Sequence, residues 1–323
     1  MQSILLTGFF GEGNLGDEAI LKAICQNLPQ EITPIITSNF KHNYGIDIKR
    51  RGFFSWYPFL NAAYQSPVTL FAGGILQDWS WEGITFFAYR IIAAAKMGST
   101  PVLFGAGIGP LRSEKARKLV KKALSFVKIA YVRDKTSFDL YKNLLPNANV
   151  KLGTDWTWHF PIKKIKGINE SILGVNLRQW NNINLLRKAA LQIDSFHGRK
   201  IGLVARKNDE YAIYKTFNTV DLRNIADFSE CASICENFSH GIAMRYHVAL
   251  AMLRSGLETK LVCYDDKVKD LAISNGIQID ETGISFGYEK ASEKFLTSNE
   301  QLFAKMRTAF SRLLEEKYDI MNK

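Results

Sequence analysis

Short apolar runs alternate with longer stretches of helical spacing along most of the chain. "SILLTG", "ITPIITS", "PVTLFAGG", "PVLFGAG" and "IAYVRD" read as strands. Between them, residues 17–28, the run through Phe86, Ile91 and Ala94, the basic stretch 113–127 and the shorter stretch 135–144 carry a helical period. Residues 159–171, "HFPIKKIKGINES", break the rhythm with Pro, Gly and three lysines (Lys163, Lys164, Lys166), which reads as a linker. The alternation then restarts with strands in "SILGVNLR", "RKIGLVAR" and "KLVCYDD", a strand-to-helix turn in "GIAMRYH", helices over 183–193 and near 210–217, and a final helix over 301–318. Strands alternating with helices predict parallel sheet built by right-handed crossovers. The expected fold class is α/β, with two Rossmann-like domains facing a cleft. The expected domains are 1–162 and 170–323, the last helix being free to pack back on the first domain. In such sheets, ligands bind at the carboxyl ends of strands.

Composition narrows the picture only a little. At 323 residues and 46% hydrophobic content the chain can bury two full cores. The formal charge of +11 favours anionic partners, although many basic proteins have none. Cys25, Cys231, Cys235 and Cys263 lack zinc or redox spacing and read as reduced thiols, which fits a cytoplasmic protein. "MQSILLTG" has no basic region and too short an apolar run for a signal peptide. No stretch approaches ~18 uninterrupted apolar residues, so no membrane-spanning helix is expected.

"LLTGFFGEGNLGDEAILKAI" follows the first strand and contains G-x-G-x-x-G as Gly11, Gly13 and Gly16. That arrangement is the fingerprint of a dinucleotide site, which also needs a ribose-binding carboxylate about 20 residues on. The second strand ends "ITSNF", with none, and Asp17 and Glu18 would crowd a diphosphate at the helix start. An NAD site is therefore not expected. A tight turn with Asn14 and Asp17 capping a helix is the simpler reading.

Read as "GFFGEGNLGDEAIL", the loop resembles the G-N-x-G-D-E-x-I motif of the polysaccharide pyruvyl transferase family, the ketal-pyruvyl transferases of bacterial cell-wall polymers and exopolysaccharides. "FAGGILQD", "GAGIGPL", "VRDKTS", "VNLRQW", "MRYH" and "YDDKV" resemble further family motifs in the family's order, and together the blocks span residues 8–268. Ala72, Ala106 and "TDWTW" depart from the usual pattern, which bears on the acceptor more than on the chemistry. The resemblance implies a fold of glycosyltransferase-B type and transfer of pyruvate from phosphoenolpyruvate (PEP) to a sugar. PEP is then the donor substrate, and neither a cofactor nor a metal is implied.

Ketal formation from PEP needs a general acid for the enol carbon, cations for phosphate and carboxylate, and a base for the attacking hydroxyl. His247, in "MRYH", is the candidate acid because histidine titrates near neutral pH. His42, His159, His197 and His240 lack a comparable setting. Arg245, Lys267, Arg178 and Arg133 stand at strand ends and are the candidate anion-binding residues. The competing reading is salt bridging, of Arg133 with Asp134 and of Lys267 with Asp265 or Asp266. Asp17 is the candidate catalytic base, with Glu18 as its rival; either carboxylate could instead serve the helix start. Asn14 and Glu18 are further candidates for substrate contact.

"KRRGFFSWYPFL", residues 49–60, sets three cations beside aromatics. It suits a peripheral contact with the inner face of a membrane and a lipid-linked acceptor, or else a packed loop and helix. Two rival functions remain: a nucleotide-sugar-dependent glycosyltransferase of the same fold, and a non-enzymatic basic protein binding a polyanion. No nucleic-acid module is recognisable, so nucleic acid is not an expected partner.

Overall fold

A computed structural model of the chain describes residues 2–165, 170–206, 209–210, 212–213 and 221–319. It forms two compact units, one of Met1–Glu12, Ile20–His159 and Asn299–Lys323, the other of Gly13–Ala19 and Phe160–Ser298.

The first unit is built on seven parallel strands: β1 (Gln2–Thr7), β2 (Ile32–Ser38), β3 (Ile46–Lys49), β4 (Val68–Ile75), β5 (Thr100–Ile108), β6 (Ile129–Val132) and β7 (Val150–Leu152). Their order is β3-β2-β1-β4-β5-β6-β7. Helices α1 (Leu15–Gln26), α2 (Trp56–Gln65), α3 (Trp81–Lys96), α4 (Glu114–Leu124) and α5 (Lys135–Leu144) make the crossovers. Ile4, Leu5 and Leu6 are fully buried, as a strand covered on both faces requires. The register shifts in β4 between Phe71 and Gly73 and in β5 between Phe104 and Ala106, so Ala72 and Ala106 sit buried at irregularities of the sheet. "TDWTW" leads into a 3₁₀ turn, Trp156–His159, and Asp155 just before it accepts from the Thr157 amide and hydroxyl. Trp156 donates through Nε1 to the Phe104 carbonyl at 2.8 Å and meets Phe310 edge-on.

The closing helix α10 (Glu293–Tyr318) begins earlier than its periodicity indicated. Phe303, Met306, Phe310, Leu313, Leu314 and Tyr318 are buried on one stripe, and the Tyr318 hydroxyl donates to the Ser3 carbonyl at 2.8 Å.

The second unit carries β8 (Ile172–Asn176), β9 (Arg199–Val204), β10 (Asp221–Asn224), β11 (His240–Ala243) and β12 (Glu258–Leu261), all parallel, in the order β10-β9-β8-β11-β12. Its helices are α6 (Ile183–Asp194), α7 (Phe228–Ile234), α8 (Tyr246–Arg254) and α9 (Asp266–Ser274). Leu173, Val175, Leu185, Ala189, Ile242 and Met244 form the centre of its core. The expected helix near 210–217 lies mostly outside the described residues. The segment read as a linker is pinned where it is described: Phe160 is buried and its carbonyl accepts from Arg254, while the Ile165 amide donates to the Ser255 carbonyl. The short elements β3, β7, β10 and α7 escaped the sequence reading, each with too few residues to show a period, and so did the nine-residue helix α9.

Candidate active site

In the second sheet the strand order reverses between β8 and β11, the kind of position where open α/β sheets bind ligands. β8 ends at Asn176, β9 at Val204 and β11 at Ala243, and an arginine stands two residues past each: Arg178, Arg206 and Arg245. These three line a cavity of about 280 Å³ together with Gln179, Trp180 and Asn181. Guanidinium groups match carboxylate and phosphate geometry, so the cavity is suited to a small dianion.

Arg245 is held from below. Its Nε donates to both oxygens of Asp209, at 2.7 and 2.6 Å, and Asp209 is fully buried. The Asp209 carboxylate also accepts from the Ala205 amide. Buried Asn176 accepts from the Arg245 amide at 3.0 Å and donates to the Leu203 carbonyl at 2.9 Å. Three adjacent strand ends are thus tied by one polar network. Arg178 donates to the Tyr264 hydroxyl at 2.9 Å and lies 4.7 Å over its ring, with Trp180 meeting the same ring edge-on. Lys267 pairs with Asp265 at 3.3 Å, as the salt-bridge reading had it, and also lies 5.8 Å from the Tyr264 ring.

His247 sits in the first turn of α8, half-buried. Against it lies the start of α1, where Gly16 explains itself: a Cβ there would stand 1.7 Å from His247 Nδ1. Gly13 supplies a left-handed turn at φ 63°. The glycines therefore shape a turn and admit an imidazole. Asp17 is 7% exposed and accepts from the Asn14 side chain. Burial pushes its carboxyl above the ordinary carboxylate range, while His247, Asn14 and Lys267 pull it back down and Glu18 adds to the rise. A carboxyl, an imidazole and an ammonium group thus share one electrostatic neighbourhood. Glu18 is half-buried, and its amide donates to the Asn14 carbonyl.

Gly16→Ala is accordingly predicted to displace the His247 ring. Turnover falls to the level of His247→Ala, and the melting temperature holds or falls, because overpacking against the ring costs about 1–3 kcal/mol while alanine gains up to ~1 kcal/mol as the better helix residue. Thermal melts beside turnover check this; full turnover would show that the ring position does not matter.

Arg133 belongs to the first unit. It pairs with Asp134 at 3.1 Å, and Asp155 lies 3.8 Å away. A Cβ on Gly107 would lie 2.4 Å from its guanidinium. The salt-bridge reading of Arg133 therefore describes what is seen. Asp209, Asn176, Arg206 and Tyr264 were missed by the sequence reading. Asp209 and Arg206 stand just past a strand in "VARKND", the signal that picked out Arg178 and Lys267. The patch at 49–60 divides: Arg50 and Phe59 are fully buried, while Phe54 and Tyr57 are 76% and 80% exposed.

A family model for polysaccharide pyruvyl transferases matches residues 14–251. The chain belongs to that family. The match takes in the Gly16 turn and the strand ends that carry Arg178, Asp209, Arg245 and His247. No curated protein matches the sequence. Solved structures resemble it at the level of fold. They include a Staphylococcus aureus MnaA–UDP co-structure (TM-score 0.58, 11% identity, 95% of this chain and 91% of that one). Methanocaldococcus jannaschii UDP-GlcNAc 2-epimerase, in complex with UDP-GlcNAc and UDP, is also similar (0.56, 9%, 98% and 100%). So is sucrose-phosphate synthase from Thermosynechococcus elongatus (0.58, 10%, 99% and 100%). The fold is that of the glycosyltransferase-B enzymes and epimerases, with two parallel sheets.

Proposed function

We propose that this protein transfers pyruvate from PEP to a sugar of a cell-wall or exopolysaccharide precursor, forming a pyruvate ketal. The observation that carries the reading is the cavity lined by Arg178, Arg206 and Arg245 at the strand ends, with His247, which interacts with the buried Asp17 carboxyl, two residues past Arg245. PEP offers a phosphate and a carboxylate, and Arg178, Arg206 and Arg245 with Lys267 provide cations for both. His247 protonates the methylene carbon, leaving positive charge on the carbon that bears the phosphate. One sugar hydroxyl attacks that carbon, its C–O bond to phosphate breaks, and a second hydroxyl closes the ketal. The two hydroxyl protons balance the new methyl group and the released phosphate. Asp17, held above its ordinary range, accepts a hydroxyl proton and returns it to His247. The chemistry calls for no redox cofactor.

Asp17→Asn separates this role from a structural one. A carboxyl whose folded-state value lies above its unfolded value subtracts stability as pH rises past the ordinary carboxylate range. Removing it is predicted to leave the melting temperature at neutral pH unchanged or higher, with turnover reduced roughly 10²-fold. A stability loss of about 1 kcal/mol with turnover intact would make Asp17 a helix-start residue only.

A nucleotide-sugar glycosyltransferase is the second reading. Similar folds have been solved with UDP, and Trp180 and Tyr264 lie beside Arg178, where a base could stack. It predicts protection from thermal unfolding by UDP; the pyruvyl transfer reading predicts protection by PEP.

Among the described residues no helix is long and apolar enough to cross a membrane. Exposed Phe54, Tyr57 and Tyr64 with Arg51 support peripheral contact at a cytoplasmic membrane face, where a lipid-linked acceptor would be met. Retention of the protein on anionic vesicles, lost in a Phe54→Ser/Tyr57→Ser variant, is the expected result; equal partition of both proteins would exclude that face.

A further inference from the structure

The first unit holds a cavity of its own, of about 550 Å³, at the carboxyl ends of β1, β3 and β4. This is where the strand order of that sheet reverses. Its lining mixes aromatic faces (Trp56, Trp79, Tyr89) with polar groups (Arg51, Gln77, Ser80). Two buried arginines stand in its wall. Arg50 is fully buried, pairs with Glu12 at 2.6 Å and stacks over Phe9 and Phe86. Arg90 is 3% exposed and lies 3.8 Å from the Phe86 ring and 4.6 Å from the Trp56 ring. Arg90 donates to the Arg50 carbonyl and the Ser55 hydroxyl, yet makes no ion pair among the described residues.

Burial and then the neighbouring Arg50 charge lower the Arg90 guanidinium to about 10, so positive charge is crowded here. Among the described lining residues, three arginines face one carboxylate, Glu82. The first turn of α3, capped by Ser80, adds the positive end of a helix.

We infer that this cavity binds a sugar carrying a phosphate or diphosphate on its anomeric carbon, with the ring against Trp79 and Tyr89 and the anion toward Arg51 and Arg90. Aromatic faces suit the C–H faces of a pyranose, the polar groups suit its hydroxyls, and the arginines suit the phosphate. That this ligand is the acceptor rests on the transfer reaction proposed above; its binding does not. Nucleotide sugars and lipid-linked sugars share this chemistry.

Calorimetric titration of the full chain tests it, with N-acetylglucosamine 1-phosphate, neutral N-acetylglucosamine, UDP-N-acetylglucosamine and a short polyprenyl-diphosphate N-acetylglucosamine as probes. The sugar phosphate is expected to bind at least tenfold more tightly than the neutral sugar. Arg51→Glu and Trp79→Ala, both at exposed positions that leave the core intact, are each expected to weaken it at least tenfold. Tighter binding of the polyprenyl form supports the site and names a lipid source; tighter binding of the UDP form supports it and names a soluble one. Equal affinity for charged and neutral sugar, or unchanged affinity in both variants, overturns the proposal. PEP titrated into the same variants keeps the two questions apart, since its binding is expected to survive both changes and to be lost in Arg178→Ala.

Discussion

Replacing Asp209 with alanine is expected to lower folding stability by about 3–5 kcal/mol, among the largest losses any single substitution in the second unit produces. Asp209 is fully buried and Arg245 is 9% exposed, so truncating the carboxylate leaves a guanidinium charge in a dry place. The same change also strands the Ala205 amide and loosens the tie to Asn176. Asp209→Asn keeps an acceptor and is expected to lose less. A double variant, Asp209→Ala with Arg245→Met, is expected to recover most of the loss because no charge is left unpaired. Urea unfolding of the three proteins measures this directly. A loss under about 1 kcal/mol for Asp209→Ala would mean that water reaches the pair and that Arg245 is not locked in place.

His247→Ala is expected to reduce turnover by about 10²–10⁴-fold, the usual contribution of a positioned proton donor. The side chain is half-buried at the first turn of α8, so little stability should be lost with it. The Michaelis constant for PEP should change little, because the cavity is lined by Arg178, Arg206 and Arg245 and His247 is not among its lining residues. His247→Gln retains polarity without a proton to give and should fall almost as far. A variant with near-normal turnover would remove His247 from the chemistry while leaving the anion site standing. Arg178→Ala has the opposite profile, a weaker PEP interaction first and a slower reaction second.

The alternation of apolar runs and helical spacing made the parallel sheets legible, because buried central strands such as "SILLTG" are continuous apolar words. Edge pieces were not legible. β3 and β10 have four residues each, half-exposed or exposed, and carry no pattern that distinguishes them from loop. The sequence reading put Arg178, Arg245 and His247 in the domain 170–323 but left Asp17 in the domain 1–162, whereas Gly13–Ala19 belongs to the same compact unit as the other three. What the motifs could not say is which cation is committed to a partner. Arg245 and Arg133 look alike as strand-end arginines, yet one leans on Asp209, 36 residues away, and the other on its neighbour Asp134. Pairing across that distance depends on which strands lie side by side, and a linear pattern does not contain strand order. The same holds for Gly16. Its purpose is an imidazole more than two hundred residues further along the chain, which no local rule about G-x-G-x-x-G could name.

Pyruvyl transfer is tested most simply by release of inorganic phosphate from PEP by the wild-type protein with lipid-linked and nucleotide-linked sugars as acceptors. The product is analysed by mass for an added pyruvate ketal, and Arg178→Ala is run in parallel. Acceptor-dependent phosphate release with matching ketal product, lost in Arg178→Ala, is the predicted result. A protein that neither binds nor turns over PEP with any acceptor, and is instead protected by UDP, would not be a pyruvyl transferase.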